Sequence, residues 1–264
     1  GNPKSALDTY SRSLQADESY VPALHGRIRC KIELGMLKEA DEELEFMGEV
    51  TEEGDVGAAI DLGMLKALLA WRLHKDDKKT LKALDALVKT HAESLEGCEA
   101  GSAEFYIKYN PGFVMEVVDM LLNFVSPERL TSYDPPSQNL KRCKAMLQQL
   151  THLVPGFLHA YERLAHCHYL CNEFQQALEC VNKVEMLDGK SARCKILLAR
   201  IYLANEAHKE AEDALAQALS LDFEIKTKPI YYVLKAKILE ERGQTEQALE
   251  LLKKAFALPG VRKT

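Results

Sequence analysis

The chain has 264 residues, of which 47% are hydrophobic and 28% are charged, a balance typical of globular proteins. Its 40 acidic and 34 basic residues give a formal net charge of −6, which argues against nucleic acid as a partner. The longest apolar stretch, residues 62–73, is interrupted by Lys66 and Arg72. It falls short of the roughly 18 apolar residues that indicate a membrane span, so we expect none.

The N-terminal residues do not have the pattern of a secretory signal, because no apolar segment is followed by a cleavage site. The seven cysteines are scattered through helical patterns, and we expect reduced, buried thiols. Four residues with metal-ligating side chains, His166, Cys167, His168 and Cys171, lie close together in sequence. On one helix they point in different directions, whereas zinc ligands usually come from a tight turn and a second element. We therefore predict no metal site and no cofactor.

Apolar residues recur at helical spacing along the chain and predict an all-α protein. Pro22 falls in the first turn of a predicted helix, and Gly35 and Gly243 fall at predicted hairpin turns, which suits both residue types. In chain order the pattern predicts an unpaired helix at about residues 3–16, followed by the pairs 20–34 with 36–48, 57–74 with 77–92, 104–125 with 138–153, 158–171 with 173–187, 190–204 with 207–220, and 228–242 with 244–257.

Small residues recur at a constant distance along these helices. Ala211 follows Ala177 by 34 positions (211 − 177), and Ala40 follows Ala6 by the same number (40 − 6), which is the period of the tetratricopeptide repeat. In three of the pairs another alanine lies twelve residues earlier (177 − 165, 211 − 199 and 248 − 236), as expected where two antiparallel helices approach closely. The alanines assigned to this packing are Ala6, Ala40, Ala165, Ala177, Ala199, Ala211, Ala236 and Ala248. The period predicts a right-handed superhelical solenoid of about seven helix hairpins.

Two stretches interrupt the period. Ala40 and Ala177 are 137 positions apart (177 − 40), which exceeds three periods of 34 by 35 (137 − 102). An acidic loop at residues 48–57 accounts for part of the excess, and it continues an acidic run typical of a solvated helix face, made of Glu39, Asp41, Glu42, Glu43 and Glu45. The rest is an irregular insertion near residues 93–137. We therefore expect one solenoid over residues 1–264, with first repeats at 1–48, divergent hairpins at 49–137 and regular repeats at 138–264.

The insertion contains a turn signal followed by an apolar stripe. Pro111 fixes one backbone dihedral and Gly112 permits the next, so the segment Asn110-Pro111-Gly112 should turn the chain. The residues that follow at helical spacing, and that predict a helix packed onto the solenoid, are Phe113, Val114, Val117, Val118, Leu121, Leu122 and Val125. The array also opens on an unpaired second helix without the polar cap that repeat arrays carry at their ends. We therefore expect an internal or C-terminal fragment of a longer protein.

Three irregular segments carry a more specific resemblance than the repeat itself. They are E-F-Y-I-K-Y-N-P-G-F-V-M-E-V-V, T-H-L-V-P-G-F, and L-S-L-D-F-E-I-K-T-K-P-I-Y-Y-V-L-K-A-K followed by A-F-A-L-P-G-V-R-K. In these segments the chain resembles the large tetratricopeptide-repeat subunit of intraflagellar transport complex A, the tetratricopeptide repeat protein 21 family. The resemblance is clear over residues 81–263 and weaker before them.

The resemblance implies a non-enzymatic scaffold in ciliary trains, which return material from the ciliary tip with a dynein motor and help membrane receptors enter. The partners it implies are other subunits of complex A, with complex B, the dynein motor and membrane cargo adaptors as further contacts. The implied location is the cilium or flagellum, the basal body and the cytoplasm. No short motif of the family marks a binding surface, so the resemblance assigns no individual binding residue.

Helical phase points to one candidate surface for a partner. The residue eleven positions before a framing alanine lies on the exposed side of the first helix of a hairpin, the concave side of such repeats. In this chain those residues, with their neighbours on the same face, are Arg29, His159, Arg163, His166, Arg193, Arg200 and Lys237. A negatively charged extended segment or acidic helix is the partner that such a face attracts. The alternative is that these bases are solvated, or paired with acids such as Glu162, Glu240 and Glu241.

Other functions remain open alternatives. A chaperone-docking module would carry a lysine and two asparagines on the first helices, and those asparagines are absent here. A generic repeat adaptor, or the regulatory repeat region of an enzyme whose catalytic domain lies elsewhere, would share the fold. The chain contains no G-x-x-x-x-G-K-[ST], G-x-G-x-x-G, G-x-S-x-G or H-E-x-x-H motif. We therefore predict no catalytic residue and a protein that is not an enzyme.

Overall fold

The computed structural model of the chain describes residues 2–51, 55–131, 134–188 and 190–258. Over these residues it forms 14 α-helices and no strand, which confirms the predicted all-α fold. The chain divides into two compact units, Gly1–Phe124 and Val125–Thr264. Their boundary falls within the sequence range of the predicted insertion, and the continuity of one solenoid over residues 1–264 stays a prediction.

The first unit contains α1 (Pro3–Ala16), α2 (Val21–Leu34), α3 (Leu37–Val50), α4 (Val56–Leu69), α5 (Asp77–Ser94), α6 (Ala103–Tyr109) and α7 (Pro111–Leu122). The second contains α8 (Gln138–Leu153), α9 (Leu158–Leu170), α10 (Phe174–Leu187), α11 (Ala192–Ala204), α12 (His208–Leu221), α13 (Pro229–Glu241) and α14 (Thr245–Ala257). A π-helical turn, Ala70–His74, extends α4, and a 3-10 helix, Phe223–Thr227, precedes α13. Outside the insertion, these bounds lie within two residues of the predicted ones when the π-helical turn is counted with α4.

The predicted helical element at residues 104–125 consists of two helices, divided at the predicted Asn110-Pro111-Gly112 turn. Asn110 has a left-handed backbone (φ 41) and divides this stretch into α6 and α7. Its side chain accepts a hydrogen bond from the backbone N–H of Phe113, so the predicted turn is also the N-cap of α7. Helix α7 ends at Leu122, where the side-chain amide of Asn123 donates to the carbonyl of Asp119. The predicted pairing of this region with residues 138–153 stays a prediction.

Helix α7 packs on the first unit through its apolar face. Phe113 and Val117 are buried, and α7 lies against α5, as the apolar stripe predicted. The ring of His91 on α5 lies 4.7 Å from the Phe113 ring. Its Nε2 atom lies 2.9 Å from the carbonyl oxygen of Tyr109, at the end of α6. One buried histidine thus connects three helices of this unit.

The acidic run of α3 is partly an ion-pair surface rather than a fully solvated face. Lys31 of α2 binds Glu39 at 2.9 Å and Glu43 at 3.0 Å, and Arg27 also binds Glu43 at 3.0 Å. Burial lowers the pKa of Lys31, but the hydrogen bonds from the two glutamates outweigh it, and the net shift is upward. The predicted loop at 48–57 is shorter than expected, because α3 continues to Val50; its residues 52–54 lie outside the described part of the chain.

The hairpin turns share one backbone device. In four of them a residue with left-handed φ lies one or two positions after the first helix: Gly35 (φ 82), Asn172 (φ 61), Glu206 (φ 59) and Gly243 (φ 72). The next residue donates its N–H back across the turn, as in the bonds from Met36 to Lys31 (2.9 Å) and from Ala207 to Tyr202 (2.8 Å). This Schellman geometry satisfies helix carbonyls that would otherwise lack a donor. It also sets the short connection that holds two helices antiparallel.

Seven of the eight framing alanines are buried. Five of them have no solvent exposure, Ala236 and Ala248 are 2% and 5% exposed, and Ala6 is only half-buried. The fully buried ones are Ala40, Ala165, Ala177, Ala199 and Ala211. The later alanines occupy the hairpins α9–α10, α11–α12 and α13–α14, whose helices pack against each other. A larger side chain at one of these buried positions would overpack the contact between the two helices, which costs roughly 1–3 kcal/mol of stability.

In the second unit, an ionic cluster attaches α8 to the turn between α9 and α10. The Lys144 ammonium of α8 lies 2.6 Å from both carboxylate oxygens of Glu173. The His168 Nδ1 atom lies 2.5 Å from one of them. Burial raises the pKa of Glu173, but hydrogen bonds from Lys144 and His168 outweigh it and lower the pKa overall. The carboxylate therefore stays charged and holds α8 in place.

The left-handed turn position offers a direct test of the hairpin geometry. Gly243→Ala should lower the free energy of unfolding by about 1–2 kcal/mol, because L residues disfavour this backbone region by that amount. A Cβ at this position meets no atom within 4 Å, so the cost is one of backbone conformation. Glu206→Gly should raise the free energy of unfolding at the equivalent turn. Urea denaturation measures both, and equal stabilities of the parent and both variants would contradict the assignment.

Candidate partner-binding surface

The first helices of three successive hairpins lie side by side in the second unit. Helix α11 contacts α9 on one side and α13 on the other, while α10, α12 and α14 pack behind them as their hairpin partners. We call the exposed surface of α9, α11 and α13 the inner face. Most of the bases selected by helical phase lie on it.

A smaller cavity of about 220 Å³ lies between α9 and α11. Four of the predicted bases line it, together with one acid and the side chains that form its floor. These lining residues are Arg163, His166, Arg193 and Arg200, then Glu162, Cys194, Ile196 and Leu197. The cavity therefore combines several basic groups with an apolar floor.

A larger cavity of about 650 Å³ lies between α11 and α13. Arg200 lines this cavity as well as the smaller one, and Lys237 lies on its α13 side. Leu203, Ile230 and Val233 supply apolar lining. Residues 127–129, which come from the insertion and not from a hairpin, form a further wall. The inner face thus carries two adjacent recesses that share one arginine.

Three of the predicted bases retain an unpaired charge. In the described part of the chain, Arg193, Arg200 and Lys237 have no carboxylate within the 4.0 Å of an ion pair, and Arg193 and Lys237 are exposed. The guanidinium of Arg200 lies 4.4 Å from the centre of the Tyr169 ring. A cation–π contact of this kind orients the group and leaves its charge in place. These three side chains therefore present positive charge to an approaching partner.

The acids named as alternative partners are engaged elsewhere or exposed. Glu162 is buried, accepts a hydrogen bond from the Ser191 hydroxyl and lies 3.3 Å from Nδ1 of His159. Glu241 lies 4.0 Å from Nε2 of His208. Glu240 is exposed at the rim of the larger cavity. The alternative in which the bases pair with these acids therefore holds for His159, but it does not hold for Arg193, Arg200 and Lys237.

Arg29 differs from the other predicted bases. It lies on α2 of the first unit and forms an ion pair with Glu116 of α7, with 2.7 Å between Nη1 and Oε1. Glu116 belongs to the insertion, 87 residues later (116 − 29), and no repeat period predicts its position. Because this carboxylate already neutralises Arg29, the residue presents less positive charge than its phase implies.

His166 lies on the inner face as a neutral side chain. Burial lowers its pKa to about 4, and the positive charges of Arg200 and Arg163 act in the same direction. At pH 7 the imidazole therefore carries no proton charge, although the residue is basic by type. The positive character of the smaller cavity comes from its arginines.

Sequence reasoning missed three residues of this surface, of which one comes from outside the repeat. Arg129 lines the larger cavity from the insertion, where no periodic signal exists, and His208 reaches it from the start of α12. Tyr169 lies in the H-C-H-Y-L-C segment, and its ring forms the cation–π contact with Arg200.

Within the described ranges, no group of three or more His, Cys, Asp or Glu side chains is arranged to hold a metal ion. Nor is any described helix both long and apolar enough to cross a bilayer.

These features define a class: an all-α scaffold of tetratricopeptide hairpins whose grooved face suits protein partners. Residues 1–206 match the family described as Tetratricopeptide repeat protein 21 second ARM domain, and residues 223–264 match its ARM repeat. A tetratricopeptide repeat is also matched at residues 192–225. The chain belongs to the tetratricopeptide repeat protein 21 family. The match includes the region before residue 81, where the resemblance was expected to be weaker.

Relatives and solved structures agree with this assignment. The chain is 30% identical over 263 residues to human (Homo sapiens) Tetratricopeptide repeat protein 21B, covering 100% of the chain and 20% of the relative. It is 29% identical over 260 residues to human Tetratricopeptide repeat protein 21A, covering 98% and 19%. The chain thus spans about a fifth of the length of these relatives.

Two solved structures show the same fold at low identity. The structure "APC/C hetero-tetramer Cut9-Hcn1" matches with a TM-score of 0.53 and 14% identity, over 96% of this chain and 39% of that one. The structure "YrrB: a TPR protein with an unusual peptide-binding site" matches with a TM-score of 0.50 and 12% identity, over 90% and 100%. Both are repeat proteins built from helix hairpins, and at this identity they support the fold alone.

The neutral state of His166 predicts a pH effect on stability. In the unfolded chain the imidazole takes up a proton near pH 6.5, whereas the folded side chain does so only near pH 4. Stability is therefore present above pH 6.5 and is lost as the pH falls towards 4. Between about pH 7.5 and about pH 5, His166→Gln should lose less free energy of unfolding than the parent chain.

Urea denaturation at the two pH values measures this difference. Equal losses in the parent and His166→Gln would show that His166 is protonated normally in the folded chain.

Proposed function

We propose that this chain is part of a scaffold subunit of intraflagellar transport complex A, in which it binds neighbouring subunits and has no catalytic role. The subunit supports retrograde ciliary transport by the dynein motor and the ciliary entry of membrane cargo. It acts at the cilium or flagellum, the basal body and the cytoplasm. Family membership supports the proposal, as do the irregular segments in which the chain resembles this subunit.

The inner face of the second unit is the surface that we assign to a partner. One observation carries this assignment: Arg193, Arg200 and Lys237 keep unpaired positive charge beside two recesses. An extended, negatively charged segment of another complex A subunit fits such a face, because complementary charge steers encounter and fixes register. Complex B subunits, the dynein motor and cargo adaptors are further candidates. The peptide-binding site named for YrrB makes a groove of this fold a reasonable place for a peptide.

The chaperone-docking alternative is less well supported by the same face. A two-carboxylate clamp needs asparagine amides beside its lysine, whereas Arg163, His166, Arg193 and Arg200 occupy the recess between α9 and α11. Guanidinium groups bind carboxylates in a planar, two-pronged manner. The inner face therefore suits a carboxylate side chain within a segment rather than a C-terminal carboxylate pair held by amides.

Charge reversal on the inner face tests the proposal. The full-length protein with Arg200→Glu and Lys237→Glu should recover about tenfold less of the complex A subunits from ciliated cells, because two attractive contacts become repulsive. Affinity purification with quantitative mass spectrometry measures the recovery. Light microscopy of the tagged protein in the same cells reports whether it reaches the cilium.

The matched control is Lys209→Glu with Lys253→Glu, two exposed bases on the second helices α12 and α14. It changes the net charge by the same amount and should leave recovery unchanged. Equal recovery with both double variants would remove the inner face from the proposal. A parent protein that purifies without any complex A subunit, or that is absent from the cilium, would contradict the proposed assembly.

A further inference from the structure

The insertion supplies a short irregular segment that lies against the α9–α10 hairpin of the second unit. We call residues 126–131 the strap. The backbone N–H of Leu130 donates to the carbonyl of Leu170, at the end of α9, over 2.9 Å. The side-chain amide of Asn172 donates to the carbonyl of Leu130 over 2.5 Å. Two hydrogen bonds at one strap residue thus hold the strap on the turn between α9 and α10.

Asn172 differs from its equivalents in the other hairpins. It shares the left-handed turn position with Glu206, which lies 34 residues later (206 − 172). Within the described residues, Glu206 contributes only its backbone to the hydrogen bonds of its turn. Glycine occupies this position in two further hairpins. The turn itself therefore does not need an amide side chain, and the amide of Asn172 serves the strap.

The strap is a wall of the larger cavity. Pro127, Glu128 and Arg129 line the cavity together with residues of α11 and α13. The guanidinium of Arg129 lies 5.4 Å from the centre of the Phe174 ring at the start of α10, which adds a third contact between the strap and this hairpin. Without the strap, the recess between α11 and α13 would be open on that side. A cavity of about 650 Å³ is within the range that holds small ligands or several side chains. The strap converts a helical groove into a bounded site.

The chemistry of the lining selects an occupant. Leu203, Ile230 and Val233 are half-buried and offer apolar contact, while Arg200 and Lys237 offer unpaired positive charge. The rim also carries acids, which would repel a long run of carboxylates: Glu128, Glu240 and Glu241. The complementary ligand therefore has apolar side chains next to one carboxylate, and it is not a polyacidic tract.

We propose that the cavity bounded by the strap, α11 and α13 is a binding site for an extended peptide that carries an apolar side chain beside a single carboxylate. The apolar side chain lies over Leu203, Ile230 and Val233, and the carboxylate binds Arg200 and Lys237. The strap, held by Asn172, completes the site. This inference rests on the proposed function, because it specifies the kind of partner segment that the inner face receives.

A selection experiment tests the site while the partner is still unidentified. The probe is a library of random twelve-residue peptides displayed on phage and selected against the 264-residue chain. Enriched peptides should share an apolar residue within about two positions of a single acid. Their affinity should fall by about tenfold or more for Arg200→Glu. Enrichment of acid-free or polyacidic peptides, or no enrichment above background, would overturn the proposal.

Two turn variants isolate the role of the strap. Asn172→Gly keeps the left-handed backbone and removes the amide that holds Leu130, so the affinity of the enriched peptides should fall by about tenfold. Glu206→Gly makes the matched change at a turn that, among the described residues, has no hydrogen bond to the strap, and the affinity should stay within about twofold of the parent. Fluorescence anisotropy measures both, and circular dichroism verifies that each variant is folded. Unchanged or tighter binding by Asn172→Gly would overturn the strap's role.

The outcomes for this site and for the proposed function are distinguishable. In one outcome, the double variant Arg200→Glu with Lys237→Glu loses complex A subunits in cells, but neither Arg200→Glu nor Asn172→Gly changes the affinity for the peptides. The cavity proposal then fails and the proposed function stands. If the peptides bind as expected but the parent protein purifies without complex A subunits, the proposed assembly fails and the cavity remains a peptide site.

Discussion

The left-handed turn residue is the constraint on which each closed hairpin depends. It reverses the chain within a few residues and lets the following N–H satisfy a carbonyl of the first helix. The two helices then lie close enough that only small side chains fit between them, and the buried alanines occupy those places. Because backbone closure and small-residue packing require each other, the hairpin behaves as one structural unit.

The candidate partner surface is a consequence of stacking these units. The second helices pack behind the first ones, so α9, α11 and α13 of the second unit are left side by side with one exposed face each. Residues at equivalent repeat positions then line a shared surface. This geometry explains why bases that are 34 or 37 positions apart in sequence (200 − 166 and 237 − 200) border adjoining cavities.

The insertion adds what a regular array lacks. In the first unit α7 places Glu116 against Arg29 and removes one base from the candidate set. In the second unit the strap places Arg129 and its neighbours in the lining of the larger cavity. A repeat array offers similar surfaces at every step, and irregular segments make one of those surfaces different from the rest. In the proposed binding role, the combination of repeat and insertion would therefore set the specificity for a partner.

The sequence by itself determined the helices, the repeat period, the turn positions and the phase of the bases, because each of these is a local property of residues a few positions apart. It also revealed the family through the segments between repeats. Only the tertiary structure decided which bases keep their charge. Glu116 neutralises Arg29 across 87 positions (116 − 29), burial keeps His166 uncharged, and Asn172 holds a strap whose Leu130 lies 42 positions away. Such contacts join segments whose separation follows no period, so local spacing carries no information about them.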